Sequence, residues 1–316
     1  MSDTLQGTVR AVCISPAKGT EKRPIEVGHF LTDFGIEHDA HAGRWHRQVS
    51  LLSYDKVEAF NQKGAQVTDG DFGENLLVKG IDFKNLPVGT ILKAGTVTLR
   101  MTQIGKDCHS HCAIHQRVGD CIMPREGVFA EVLTEGDIRP GDVMTVTLPD
   151  PERPFTAAVI TLSDKGAKGE RKDESGPAAA KMLREAGYEI VETLILPDEP
   201  ALLQKTLCRL VDQRQVELII TSGGTGFSLR DQTPEATMAV ADRNAPGIAE
   251  YIRMRSAQIT DRAMLSRGVS VIRKGSLIIN LPGSPKAVQE SLGFIMNALD
   301  HGLKILRGSA SECARK

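Results

Sequence analysis

No charge of either sign dominates this sequence: 39 Lys and Arg stand against 40 Asp and Glu, for a net charge of −1. A nucleic-acid or anionic-membrane surface would leave a basic excess, so neither partner is expected. No apolar run approaches the roughly 18 residues of a membrane span, and Met1-Ser2-Asp3-Thr4 lacks the basic and apolar regions of a secretory leader. The expected location is the cytoplasm. GxxxxGK[ST] is missing, which argues against a P-loop NTPase, and no GxGxxG follows a strand-like run as a dinucleotide site requires. Cysteine is scarce, with six in 316 residues, and large cytosolic-looking chains rarely use disulfides, so no disulfide framework is expected and the cluster Cys108, Cys112 and Cys121 reads as metal, reactive thiol or packing. Long internal repeats and low-complexity tracts are absent too.

What is present is ordinary globular material, 25% charged and 41% hydrophobic, in a chain long enough for two domains with a core each. Pro149-Asp150-Pro151-Glu152-Arg153-Pro154 has three prolines in six residues and reads as a short stiff linker over 149–154. Residues 1–148 carry short alternating runs, such as Val97 to Met101 and Val143 to Leu148, cut by glycine turns; this predicts a mostly-β domain. One helix is expected from Ser53 to Lys63, with Ser53 as its cap. Residues 155–316 alternate instead: Thr156 to Leu162 β, Pro177 to Ala186 α, Tyr188 to Leu196 β, Pro200 to Arg214 α and Val216 to Thr221 β. Further helices are expected over Pro234 to Arg243 and Pro246 to Ile259. Such alternation predicts an α/β doubly wound, mainly parallel sheet with helices on both faces.

Two glycine loops carry the chemistry. Leu218-Ile219-Ile220 runs into Thr221-Ser222-Gly223-Gly224-Thr225-Gly226 and on to Asp231, just before the helix start Thr233-Pro234-Glu235. Glycine lets backbone approach an anion, and the first N–H groups of the next helix point at it. Asp231 offers the hard carboxylate oxygen that a phosphate-bound Mg²⁺ prefers. A tight turn that binds nothing is the plain alternative for one such loop, but a second follows Leu277-Ile278-Ile279: Asn280-Leu281-Pro282-Gly283-Ser284-Pro285-Lys286. Loops at neighbouring strand ends of an open α/β sheet share one crevice, where such sheets bind ligands.

In family order along residues 155 to about 308 stand Leu162-Ser163-Asp164, Asp173-Glu174-Ser175-Gly176-Pro177, Leu196-Pro197-Asp198-Glu199, Gly223-Gly224-Thr225-Gly226, Arg230-Asp231-Gln232-Thr233-Pro234-Glu235-Ala236-Thr237, Met264-Leu265-Ser266-Arg267 and Asn280 to Pro285. This half resembles molybdopterin adenylyltransferase, the family of MogA and the gephyrin G domain. The resemblance implies transfer of AMP from Mg-ATP to the terminal phosphate of molybdopterin, with release of pyrophosphate. It gives Asp198 and Asp231 the metal and catalytic roles; the plain alternatives are a carboxylate at a helix start for Asp231 and a turn residue before Pro200 for Asp198. Ser163, Asp164, Ser175 and Gly176, with Ser222, Gly223, Gly224, Thr225, Gly226, Pro282, Gly283 and Ser284, become candidate nucleotide or pterin contacts. For Ser175, helix capping is an equal reading. Gln232 departs from the family, which usually has a β-branched residue there.

In the other half, Gly35-Ile36-Glu37-His38-Asp39-Ala40-His41, Val49 to Leu52, Gly73-Glu74-Asn75-Leu76, Thr102-Gln103 with Cys108, Gly127 to Val132 and Pro140-Gly141-Asp142 resemble a MOSC domain. That family's fold is a β-barrel. Cys108 matches its reactive cysteine, proposed to carry sulfur or contact a molybdenum cofactor. Lys106, His109 and His111 are near enough in sequence to favour the thiolate. His38, Asp39 and His41 could line the same pocket. Zinc is a rival reading, since Cys108, Cys112, His115 and Cys121 offer four soft ligands at loop spacing, although the pairs do not form CxxC; packing with surface histidines is the third. Together the halves predict a bifunctional enzyme whose C-terminal domain adenylylates molybdopterin and whose N-terminal domain receives, carries or modifies the cofactor. The alternative is a non-catalytic or zinc-stabilised N-terminal module that channels cofactor. The resemblance also implies a homo-oligomer, a trimer being usual, and a molybdate-insertion protein or molybdoenzyme as partner.

Overall fold

A computed structural model describes residues 5–107 and 119–309. The chain divides into two compact units, residues 1–150 and 151–316.

In the first unit, seven strands close into a barrel: β1 (Gln6–Ile14), β5 (Val49–Ser53), β6 (Leu76–Lys79), β7 (Ile91–Ala94), β8 (Val97–Ile104), β9 (Val128–Thr134) and β11 (Val143–Thr147); the short β2 (Arg23–Ile25) adds to β1, and β3 (Gly28–Leu31), β4 (Gly35–Ile36) and β10 (Gly136–Ile138) form a small separate sheet. The barrel order is β11-β7-β8-β9-β5-β6-β1, and β1 pairs back to β11 to close the ring. Alternation drives the closure. Val9, Leu51, Leu76, Val78, Leu99 and Met101 point into one core, whereas Ala11, Leu52 and Leu77 point outward onto a second cluster with Val57 and Phe60. Neighbours in sequence thus serve opposite faces. β5 and β6 run parallel, the barrel's one such pairing among the described residues, because the helix Tyr54–Asn61 carries the chain across between them. Ser53 precedes that helix but makes no side-chain cap; it belongs to β5, so the expected serine cap is corrected.

In the second unit, six strands form one sheet: β12 (Thr156–Leu162), β13 (Glu189–Leu196), β14 (Leu218–Ser222), β15 (Arg243–Asn244), β16 (Ser270–Arg273) and β17 (Ser276–Leu281), in the order β13-β12-β14-β17-β16-β15. The first four in that order are parallel and the last two antiparallel. Val159, Ile220 and Ile279 bury one face under the helices Ser175–Glu185 and Pro285–Arg307; Ile160, Ile219 and Ile278 bury the other under Pro200–Cys208 and Thr233–Ala239. Helices on both faces explain why these strands read as continuous apolar runs. The 23-residue helix Pro285–Arg307 contributes Val288, Leu292, Ile295, Leu299 and Leu303, a stripe at three- and four-residue spacing. Each such fully buried side chain stabilises the fold by about 1.5–3 kcal/mol relative to exposure. The helix expected over Pro200 to Arg214 is α-helical only to Cys208 and continues through a π-helical turn, Arg209–Gln213.

Candidate active site

β13 lies on one side of β12 and β14 on the other, so the chain reverses direction across the sheet at β12. Crossovers leave in opposite directions there and open a crevice beyond the carboxyl ends of β12 and β14. A cavity of about 630 Å³ occupies it, with Leu162, Ser163, Asp198, Gly223, Asp231 and Ser284 among its walls. Four separate stretches of sequence therefore meet in one place.

The glycines are required by close packing. Gly223 sits at φ 103° and Gly224 at φ 63°, both in the left-handed region. A Cβ on Gly223 would collide with the Leu162 carbonyl oxygen, and one on Gly224 with the Thr233 hydroxyl. The second loop comes as close: a Cβ on Gly283 would lie 3.3 Å from the Gly223 Cα. Buried Asn280 ties the strands beneath, donating to the hydroxyls of Thr221 and Thr237 at 2.9 Å each. Ser163 and Ser284 cap helices, accepting from the Gly166 N–H at 3.0 Å and the Ala287 N–H at 3.2 Å. An accepting hydroxyl keeps its own proton, so both serines can still donate to a phosphate oxygen.

Asp198 and Asp164 are bound reciprocally. The Asp164 N–H donates to Asp198 Oδ2 at 3.1 Å, and the Asp198 N–H donates to Asp164 Oδ1 at 3.0 Å. Arg230 then grips Asp164 through Nη2 at 2.8 and 2.9 Å. The Asp164 carboxyl is accordingly held below its usual range, by Arg230 first and by the Asp198 N–H second. Asp198 moves the other way. Burial raises its pKa, and the carboxylates of Asp164 and Asp231 add to the rise.

Of the predicted contacts, Ser163, Ser175, Gly223, Gly224, Gly283 and Ser284 line the cavity with Asp198 and Asp231. Asp164, Gly176, Ser222, Thr225, Gly226 and Pro282 are not among the residues that line it. Ser222 donates to the Pro282 carbonyl at 3.1 Å, which joins the two loops. Asp173, assigned no role from sequence, caps the helix that Ser175 was weighed for: its Oδ1 accepts the N–H groups of Ser175 and Gly176 and the Ser175 hydroxyl, and its Oδ2 accepts Thr161 at 2.8 Å. Arg267 was also missed. Its guanidinium donates to the Gly226 carbonyl at 2.8 Å and to the Asp231 carbonyl, and pairs with Glu235, bracing the first glycine loop. Both residues lie inside the family-like motifs Asp173 to Pro177 and Met264 to Arg267, but sequence gives no hint of which loop carbonyl or N–H a side chain will reach.

The barrel unit has its own cavity, of about 360 Å³, lined by His41, Trp45, Arg47, Lys106, Cys121 and Phe129 among others. The Arg47 guanidinium lies over Trp45 at 4.6 Å and Phe129 at 5.4 Å. Asp39 is buried beneath, 2.7 Å from Lys22 and bonded to the Ser15 N–H at 2.9 Å. Burial acts to raise its carboxyl, but His41, Lys22 and Ser15 together hold it well below the usual range. His38 is exposed, at 82% for its side chain, and does not join this wall. Cys108, Cys112 and His115, with His109 and His111, lie outside the described residues. Cys121 is buried, and among the described residues no group of three or more His, Cys, Asp or Glu is placed to hold a metal.

Carboxylates and glycine loops gathered at the switch point of a parallel sheet are an arrangement in which α/β enzymes hold phosphates. Comparison with known proteins makes this specific. Residues 158–301 match the family model described as "Probable molybdopterin binding domain", and residues 38–145 match the MOSC domain. Molybdopterin adenylyltransferase of Escherichia coli K12 is 44% identical over 143 residues, covering 44% of this chain and 73% of that protein. The Helicobacter pylori 26695 enzyme of the same name is 39% identical over 160 residues, covering 50% and 91%. The solved structure of the molybdopterin biosynthesis enzyme MoaB from Thermus thermophilus is 42% identical, covers 49% of this chain and 97% of that one, and has a TM-score of 0.47. Through its C-terminal half the chain belongs to the molybdopterin adenylyltransferase family. That half is a nucleotidyltransferase of molybdenum cofactor biosynthesis, and a MOSC domain precedes it. Among the described residues no helix is long and apolar enough to cross a membrane.

Proposed function

We propose that the cavity of the C-terminal unit binds molybdopterin and Mg-ATP together and transfers AMP to the terminal phosphate of molybdopterin, with Asp198 and Asp231 as its catalytic carboxylates. The observation that carries this is the convergence of both carboxylates and both glycine loops on one cavity. The donor set suits Mg²⁺, which keeps several waters and takes one or two carboxylates beside substrate phosphates. Burial first, and the Asp164 and Asp231 carboxylates after it, raise the Asp198 pKa, and a divalent cation beside it would favour the ionised form. Bound there, Mg²⁺ would neutralise charge on the transferring phosphoryl group.

The protein's own part is alignment. Ser163 and Ser284 can donate to phosphate oxygens from the cavity wall, and the crossed Asp164–Asp198 backbone bonds fix the Asp198 carboxylate. Arg267 and Arg230 hold the loop that bears Asp231. No covalent nucleophile is required, since in-line transfer asks chiefly for positioning and charge cancellation. Asp198→Asn and Asp231→Asn should each lower AMP transfer from MgATP to molybdopterin by roughly 10²-fold or more with the fold intact. Near wild-type turnover in both would remove the assignment.

For the barrel unit we propose cofactor handling, with Cys108 as the sulfur-carrying or cofactor-contacting thiol. The cavity supports it, because Arg47 and Lys106 bring positive charge to its wall for an anionic ligand, and Trp45 and Phe129 line it with aromatic surface for a planar one. Rate-resolved alkylation tests the thiol: Cys108 should react faster than buried Cys13, whose pKa burial pushes up to about 12. Stoichiometric zinc, with Cys108, Cys112 and Cys121 protected together until chelation, would overturn it.

A further inference from the structure

The C-terminal cavity is poor in positive charge. Asp173, Glu174, Asp198 and Asp231 all line it, and the cations that line it are Arg171 and Lys172. Both come from the connection between the helices Asp164–Ala167 and Ser175–Glu185, and both side chains are exposed. Among the described residues neither makes a salt bridge or hydrogen bond. The helix N-terminus beside them offers no substitute, because Asp173 already takes its first N–H groups.

A nucleoside triphosphate in this cavity presents a chain of anionic oxygens. The carboxylates of Asp198 and Asp231 cancel the charge of one Mg²⁺, so a metal at that pole leaves the polyphosphate's own charge largely unmet. It must be met elsewhere on the wall. Resting on the reading that this cavity binds Mg-ATP, we propose that Arg171 and Lys172 clasp the β- and γ-phosphates and so determine recognition of the triphosphate tail and its departure as pyrophosphate. The guanidinium forks onto two phosphate oxygens, and the ammonium acts as a point charge beside it. In the transfer, a molybdopterin phosphate oxygen forms a bond to the α-phosphorus as the bond from that phosphorus to the α,β-bridging oxygen breaks. The electron pair leaves on that oxygen, which becomes part of pyrophosphate. Cations beside the departing group stabilise charge that grows in the transition state, so they act on turnover as well as on binding.

The test compares the wild type with Arg171→Ala, Lys172→Ala and the double variant. Calorimetric titration would use the Mg complex of a non-hydrolysable ATP analogue, AMP and molybdopterin separately, and pyrophosphate inhibition would be read in the transfer assay. The double variant should bind the triphosphate analogue about 10- to 100-fold more weakly and lose pyrophosphate inhibition in proportion, with AMP and molybdopterin affinities unchanged. Arg171→Lys should recover part of the loss. Unchanged triphosphate affinity in the double variant would overturn the proposal. So would a loss confined to molybdopterin, which would assign these cations to the pterin's phosphate, or an equal loss for AMP, which would mean general disruption of the site. A wild type that binds no MgATP analogue would remove the underlying reading as well, and the two failures are thereby distinguished.

Discussion

Asp164 touches the proposed chemistry only through Asp198, yet its charge adds to what burial does in making Asp198 harder to ionise. Its carboxylate, like that of Asp231, raises the Asp198 pKa beyond what burial does, while Arg230 works against the rise. If turnover requires ionised Asp198, activity falls as pH drops through that pKa. Asp164→Asn keeps an oxygen for the Asp198 N–H but removes the negative charge, so the acid limb of the pH–rate profile should move to lower pH. An unmoved or upward-shifted limb would deny the coupling. In the barrel unit Glu74 offers a second test. It is wholly buried, its Oε1 accepts the Gly70 N–H at 2.8 Å, and its Oε2 has no partner among the described residues. Burial pushes its pKa up to about 7 from 4.5. The folded state therefore holds this proton more tightly than the unfolded one, and stability is lost as pH rises from 4.5 through 7. The loss amounts to about 3 kcal/mol above that window. Glu74→Gln should flatten it. Trp45, the one tryptophan in the sequence, reports unfolding of this unit in urea at pH 5 and pH 8. An identical pH slope in wild type and variant would show that Glu74 does not set it.

At the scale of elements the glycine loop after β14 is the part most exposed to substitution. Gly223→Ala places a side chain at φ 103° and against the Leu162 carbonyl, so β12 or the loop must shift. Left-handed strain and the backbone clash together should destabilise the unit by about 2–4 kcal/mol and lower adenylyl transfer further, because Asp231 rides on the same loop. Calorimetry and the AMP-transfer assay read the two effects; an alanine variant with wild-type stability would show that the loop relaxes freely. This loop was legible in sequence because strand, glycines and helix start follow one another directly, as were the parallel core strands, whose apolar runs are continuous. The antiparallel β15 and β16 were not. Arg243–Asn244 is exposed and two residues long, and its pairing with Ser270–Arg273 leaves no periodic signature. The π-helical turn at Arg209–Gln213 likewise hides in a sequence whose apolar spacing suits an α-helix. Capping by Asp173 rather than Ser175 depended on where the loop folds back, which tertiary packing decides. In the barrel, alternation predicted strands, but the parallel register of β5 on β6 follows from chain path alone.

For the molecule as a whole, the question is whether each unit folds alone, and Arg307 bears on where the second begins. This residue ends the long helix Pro285–Arg307, and its guanidinium donates to the carbonyls of Pro151 at 2.6 Å and Arg153 at 2.8 Å. It also grips Glu217 at 2.7 and 3.0 Å and stacks over Phe155 at 3.8 Å. Glu217 in turn accepts the Thr156 N–H at 3.0 Å, which fixes the start of β12. The proline-rich segment is therefore bound to the C-terminal unit from Pro151 onward, and a fragment spanning 151–316 should fold and keep adenylyl transfer. A fragment beginning at Phe155 loses the Pro151 and Arg153 carbonyls and the Arg153 side chain, which lies 3.5 Å from Glu217. Arg307→Ala in the full chain tests the same clamp from the other end. Arg307 and Glu217 are only 12% and 11% exposed, so removing the cation leaves a nearly buried carboxylate with Arg153 at 3.5 Å and Thr156 as its remaining partners, at a cost of about 3 kcal/mol. For a unit of this size that corresponds to a fall in the melting temperature of about 6–12 °C. Scanning calorimetry should place the fragment from Pro151 near the corresponding full-chain transition, and Arg307→Ala and the fragment from Phe155 both below it. An unfolded fragment from Pro151 would mean that the C-terminal unit depends on the barrel unit. Equal melting of Arg307→Ala and wild type would show that the clamp carries no weight.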